Sequence, residues 1–233
     1  MAAVFTTATD GLADIRLLRL LQLVSPALPV GAFAYSQGLE WAVAAGWVSH
    51  ARQAADWIGS LLIHNLANLE VPILSRLYSA WQTDRIQEFE AWNDYLLACR
   101  GSAELQQEDL HMGQTLRRLW LQLQPDRLKG LSCSAATFTA MFAVAACNWS
   151  IQLPAACSGL LWSWCENQVA AAMKLMPLGQ TEGQKILMSL AEAIPGAVQH
   201  GLALKDNAIG AAAPGLSMAN ALHETQYCRI FRS

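Results

Sequence analysis

Residues 130–165 read GLSCSAATFTAMFAVAACNWSIQLPAACSGLLWSWC, a run without a single Lys, Arg, Asp or Glu. Three settings suit such a run: a bilayer, the middle of a helical bundle, or a surface covered by another protein. A membrane-spanning helix needs about 20 consecutive apolar residues. Here Asn148, Ser150, Gln152 and Pro154 interrupt the apolar stretch, and Ser132, Ser134, Thr137 and Thr139 dilute its first half. The pattern therefore predicts two helices, one ending near Trp149 and the next beginning around Pro154. Both are apolar on all sides, as central helices of a bundle are, and no membrane is expected.

Outward from this run the charge is thin and uneven. The chain has 233 residues, of which 15 are Lys or Arg and 18 are Asp or Glu, while 54% are hydrophobic. Residues 1–129 hold 23 of the charges and residues 130–223 only seven. So much apolar surface with so little repulsion excludes a disordered chain. A net charge of −3 and a pI near 5.9 exclude the basic stripe that nucleic-acid binding requires. The six cysteines form no C-x-x-C pair and sit mostly in apolar runs, as reduced, buried thiols of a cytoplasmic protein do. Met1 to Asp10 lacks the basic start and apolar run of a secretory signal.

Elsewhere apolar residues recur at helical spacing. Ile58, Leu61, Leu62, Leu66 and Leu69 form one stripe, Ile86, Phe89, Trp92 and Leu96 another, and Leu105, Met112, Leu116, Leu119 and Leu123 a third. No stretch alternates at period two. Asp84 with Gln87 and Thr181 with Gln184 resemble capping boxes, and Asn68 is placed to cap a helix with Pro72 in its first turn. Breaks are expected at Pro26, Pro29 and Gly31, at Pro125, at Pro154, at Pro177 with Gly179, at Pro195 with Gly196, and at Pro214 with Gly215. The expectation is an all-α chain of nine to ten helices. Residues 1–206 form its helical domain, and 207–233 a flexible segment ending in a docking tail. The run NAIGAAAPG at 207–215 lacks large side chains, so the last residues are expected to be tethered rather than packed unless something binds them.

Signatures of catalysis are missing. The sequence has no G-x-x-x-x-G-K-[ST], H-E-x-x-H, G-x-S-x-G or G-x-G-x-x-G. The histidines at 50, 64, 111 and 200 have no second ligand at helical spacing. His223, with Glu224 beside it and Cys228 further on, reads as a partner contact rather than a metal ligand, because fewer than three convergent donors rarely hold a metal. Of the nine tryptophans most are expected in the core, with Trp162 or Trp164 meeting a neighbour. Two segments resist explanation as packing. Ser25 to Glu40, SPALPVGAFAYSQGLE, is a Pro/Gly loop running into a helix. The ending, HETQYCRIFRS from His223 to Ser233, interleaves Arg229 and Arg232 with Tyr227, Ile230 and Phe231, a mixture suited to docking in a partner groove.

Together these segments resemble the UreF family of urease accessory proteins. Ser25, Pro26, Pro29, Gly31, Ser36, Gly38, Leu39 and Glu40 match its opening motif. Arg100, Glu104, Met112 and Gly113 match its R-x-x-x-E and M-G helix, and Pro177-Leu-Gly-Gln180 with Gly183-Gln184 its P-L-G-Q-x-x-G-Q. His223, Glu224, Gln226, Tyr227, Arg229, Phe231, Arg232 and Ser233 match its ending. The departures are Ala32, Tyr35, Gly101, Ser102, Leu222 and Ile230. Tyr35 stands where a His is common, which weakens nickel ligation by the loop.

The resemblance implies an all-α homodimer with no catalysis or stably bound cofactor of its own. Such a protein acts in the cytoplasm as a scaffold or chaperone with UreD/UreH and the GTPase UreG, and their complex inserts nickel into the urease apoprotein. Whether nickel touches this chain stays open. The resemblance marks residues 223, 224, 226, 227 and 229–233 as partner-binding, including Ile230. It marks Pro29, Gly31, Ser36, Gly38, Glu40, Arg100 and Glu104 likewise. Two rival readings are a GTPase-regulating subunit, with Arg229, Arg232 or Arg100 supplying a cation, and a membrane-associated helical protein built on residues 130–165.

Overall fold

The computed structural model describes residues 14–128, 131, 135–211 and 213–233. Among these residues there are ten α-helices and no strand. They are α1 (Ile15–Leu23), α2 (Leu39–Ala44), α3 (Ala51–Leu61), α4 (Glu70–Gln82), α5 (Ile86–Ala98), α6 (Ala103–Leu123), α7 (Phe138–Asn148), α8 (Leu153–Leu175), α9 (Gln180–Ala203) and α10 (Pro214–His223). No helix among the described residues is long and apolar enough to cross a membrane.

The charge-free run becomes α7 and the start of α8. Every residue from Thr139 to Ala146 is buried, because α7 lies among α4, α6 and α8 with α1 against it. A helix surrounded on all sides has no use for a polar face, which is why this one shows no apolar stripe. Its small side chains allow close approach. At Gly113 of α6 an added Cβ would lie 2.1 Å from the carbonyl oxygen of Ala136 and 2.6 Å from the carbonyl carbon of Thr137, just ahead of α7. Gly113→Ala is therefore expected to destabilise the fold by about 1–3 kcal/mol, the usual range for overpacking a core. Denaturant unfolding measures it; an unchanged midpoint would mean that the two helices are free to separate.

Several boundaries differ from the sequence expectations for identifiable reasons. Asp84 takes a left-handed turn (φ 53°), so α5 is preceded by Arg85 and neither Asp84 nor Gln87 caps it. Helix α9 starts directly after Gly179, which leaves Thr181 inside its first turn rather than at its cap. Asn68 does not cap α4 either: Leu69 precedes that helix, and the Asn68 amide instead donates to the carbonyls of Ile63 and His64. Those carbonyls belong to a π-helical turn, Leu62–Leu66, that follows α3. Pro195 does not end a helix but sits within α9. It is exposed on the outer side, while Ile194, Ala197, Val198 and Gly201 continue the buried face. The carbonyl that loses its bond thus faces water, where a proline is cheapest.

The thiols divide by depth. Cys157 and Cys165 are buried in α8, and burial pushes both up to about 12, whereas Cys99 and Cys228 are exposed. Four apolar side chains of α1, Ile15, Leu17, Leu18 and Leu21, are also exposed.

Candidate partner-docking site

Three parts of the chain converge on one site: the loop from Val24 to Gly38, the N-terminal half of α6, and the residues after α10. Two left-handed glycines shape the loop. Gly31 has φ 80° and Gly38 φ 77°; at Gly38 a side chain would also press on Ala219 and Asn220 of α10. Only glycine meets both demands at position 38. The loop thereby brings Ser36, Gln37 and Glu40 to α10 and the tail.

Within 223–233, His223, Phe231 and Ser233 are packed on this chain itself and anchor the segment, where composition suggested a tethered ending. His223 and Ser233 have no exposed surface, and Phe231 is buried as well. The Glu40 carboxylate accepts hydrogen bonds from the backbone N–H groups of Ile230 (2.6 Å) and Phe231 (2.9 Å). His223 lies between two carboxylates, with Nε2 3.2 Å from Glu40 and Nδ1 2.7 Å from Glu104. Each ring nitrogen thus has a carboxylate partner. The other Glu104 oxygen accepts from Arg229 at 2.7 Å. Glu224 accepts from the backbone N–H of Ala103 at the start of α6.

The far end is held as firmly. The main-chain oxygen of Ser233 accepts from the N–H groups of Ser36 (2.7 Å) and Gln37 (3.0 Å) and from the Ser36 hydroxyl (2.7 Å). Arg232 donates its backbone N–H to Ala34. The Ser233 hydroxyl donates to Glu108 at 2.6 Å, whose other oxygen accepts from Gln37 at 2.7 Å. Gln37 in turn accepts from the Trp164 indole of α8. Lys174 stands over the rings of Phe33 and Phe231, 5.9 and 5.4 Å from their centroids, within cation–π range. An acidic cradle of Glu40, Glu104 and Glu108 thus holds a tail carrying Arg229 and Arg232.

Side chains point both ways along this tail. While the backbone and the polar groups face the cradle, Tyr227 is fully exposed, Ile230 is 71% exposed, and Phe33 beside the tail is 67% exposed. Behind the cradle lies a cavity of about 220 Å³ whose wall includes Gln37, Glu108, Glu70, Asp109, Arg100 and Glu166. Among the described residues no group of three or more His, Cys, Asp or Glu is arranged to hold a metal ion.

A family model described as UreF matches residues 48–191. The urease accessory protein UreF of Alkalilimnicola ehrlichii is 46% identical over 98% of this chain and 99% of its own length. Its namesake from Teredinibacter turnerae is 45% identical over 94% of this chain and 99% of its own. That from Marinomonas sp. is 46% identical over 94% and 95%. The chain belongs to the UreF family.

The UreF motifs can now be placed. Ser36, Gly38, Glu40, Glu104 and the tail come together, while Pro29 is exposed on the loop and Gly31 turns it. Arg100 is not part of the tail contact. It is half-buried in an ion-pair network of its own, bound to the buried carboxylates of Glu70 of α4 and, at 2.8 Å, Asp109 of α6. Burial alone would lower its pKa, but the two carboxylates outweigh this and raise it. Arg229 is engaged by Glu104. Gln37, Glu108 and Lys174 were not singled out from the sequence, whereas Trp164, read there as a candidate contact to a neighbour, donates its indole N–H to Gln37 of this chain. One signal pointed to Glu108: Glu104 and Glu108 are like charges four apart on one helix, an unfavourable pair unless donors cover it. Here Arg229, His223, Ser233 and Gln37 do so.

Proposed function

We propose that this chain is a non-enzymatic scaffold for urease maturation. In this reading it works as a homodimer in the cytoplasm. It joins a UreD/UreH subunit to the GTPase UreG in a complex that passes nickel, as cargo, into apo-urease. Family membership and the names of its relatives support the urease connection. The observation that carries the docking role is the two-sided tail, in which His223, Arg229, Ser233 and the N–H groups of Ile230 and Phe231 bond to the chain's own cradle while the side chains of Tyr227 and Ile230 are left bare. Apolar anchors held out from a fixed backbone are what a protein interface uses. The exposed residues of α1 supply further apolar surface of the kind that assemblies cover.

Tyr227→Ala combined with Ile230→Asp removes the anchors and leaves the cradle bonds untouched. Cells co-expressing urease and its accessory proteins with this variant are expected to lose at least tenfold in urease activity and in urease-bound nickel, the scale of losing one or two hot-spot side chains. Circular dichroism of the variant is expected to match the parent. Wild-type activation by the double variant would overturn the docking role.

A rival role as a GTPase regulator would need a free cation. Arg100, held between Glu70 and Asp109, and Arg229, held by Glu104, are both engaged elsewhere, which leaves the exposed Arg232 beside the Tyr35 hydroxyl as the candidate for such a role.

A further inference from the structure

Glu108 is a buried carboxylate at the point where the last described residue meets the body of the protein. Its oxygens receive only neutral donors, the Ser233 hydroxyl and the Gln37 amide. Arg100, the cation nearest in the network, gives its hydrogen bonds to Glu70 and Asp109 instead. The other charged or titratable groups near Glu108 are Asp109 beside it and Glu104 one turn earlier on α6, and Tyr35 of the loop, whose hydroxyl Arg232 approaches. Glu70 of α4 and Glu166 of α8 line the same cavity. An ionised carboxylate so placed has lost water without gaining a counter-ion, and a proton removes the penalty.

We propose that Glu108 is a proton-dependent latch for the C-terminal segment, taking up a proton as Ser233 seats on it, so that docking tightens in acid and loosens in alkali. The proton belongs on Oε2, because Oε1 already accepts from the Gln37 amide. In that state Oε2–H donates to the Ser233 hydroxyl, and the bond to the tail survives with reversed direction.

The direction follows from linkage. Burial raises the Glu108 carboxyl to about 7, and undocking readmits water and returns it toward the ordinary carboxylate value near 4.3. The docked state therefore binds the proton more strongly. Its advantage is full below the ordinary value and is lost as pH rises through about 7. Between pH 6 and pH 8 the ratio of docked to open tail is expected to fall about tenfold.

Hydrogen exchange of the 224–233 amides in the full chain, corrected for the intrinsic pH dependence of exchange, measures that ratio. Glu108→Gln fixes the neutral form and isolates the contribution of Glu108 from every other group along the tail. The wild-type protection divided by that of E108Q is expected to fall about tenfold over the interval; a constant quotient would overturn the latch. Amides of α7 in the same spectra report whether the variant keeps its fold. If it does not, the carboxyl ¹³C resonance of Glu108 in the unmutated chain decides. It is expected to titrate near neutrality, and nearer the ordinary range in a chain ending at Ile230; identical midpoints would overturn the proposal. The latch deepens the docking role proposed above, but these measurements involve no partner protein, so either can fail alone.

Discussion

Replacing Arg100 by methionine is expected to lower the free energy of unfolding by about 3–5 kcal/mol, the range for breaking a buried ion pair from one side. Against the 5–15 kcal/mol that holds most domains folded, this is a large share. The guanidinium touches Asp109 with Nε and Nη2 and Glu70 with Nη1. Glu70 also accepts from the Thr139 hydroxyl, and Asp109 from the Phe138 N–H. The cation therefore ties α4, α6 and the start of α7 together, and its loss leaves two buried carboxylates facing each other. Asp109, whose carboxyl burial already raises against the opposing pull of Arg100, then takes up a proton more readily than in an unfolded chain. The deficit should shrink as pH falls from 8 to 5 and reopen as pH rises. Arg100→Lys is expected to fall between, since one ammonium cannot span both carboxylates as a planar fork does. Urea unfolding of the three proteins at two pH values measures all of this. A methionine variant as stable as the parent would show the network to be a replaceable polar island.

The second large effect is expected at Glu40. Glu40→Ala removes the acceptor shared by the Ile230 and Phe231 N–H groups and by His223. Two bonds to a charged group contribute about 3 kcal/mol together, so the open tail should become more than a hundredfold more populated. The helical core is not involved, and circular dichroism should be unchanged. Trypsin provides the readout, because Arg229 and Arg232 lie within the clasped segment. Cleavage there is expected to be slow in the parent and fast in E40A. Equal rates would mean that the remaining contacts, at Ser36, Gln37 and Glu104, hold the tail unaided.

Much of the architecture was legible because it rests on local pattern. The charge-free run read best as buried helix once its polar interruptions were weighed, and α7 and α8 meet where Trp149 and Pro154 placed the break. Caps were less legible. Asp84 and Thr181 carry the right side chains, yet a left-handed turn and an early helix start decide their roles. Pro195 reads as a breaker only if the outward side of α9 is not considered. The tail gave up its composition but not its seat. Its residues contact Glu40 across 190 positions and Glu108 across 125. No window of sequence brings such partners together, so side chains suited to a foreign groove could not be told from side chains suited to their own.

The tail fastened at both ends has a thermodynamic consequence. Fixing a backbone residue takes about 1–2 kcal/mol of conformational entropy, and between His223 and Ser233 the chain's own contacts have already met that cost. Tyr227 and Ile230 are thus presented on a standing arch. Binding to them should behave as rigid-body association, with a modest heat-capacity change set by the surface covered. In E40A the same event becomes folding coupled to binding, with a larger unfavourable entropy and a more negative heat-capacity change.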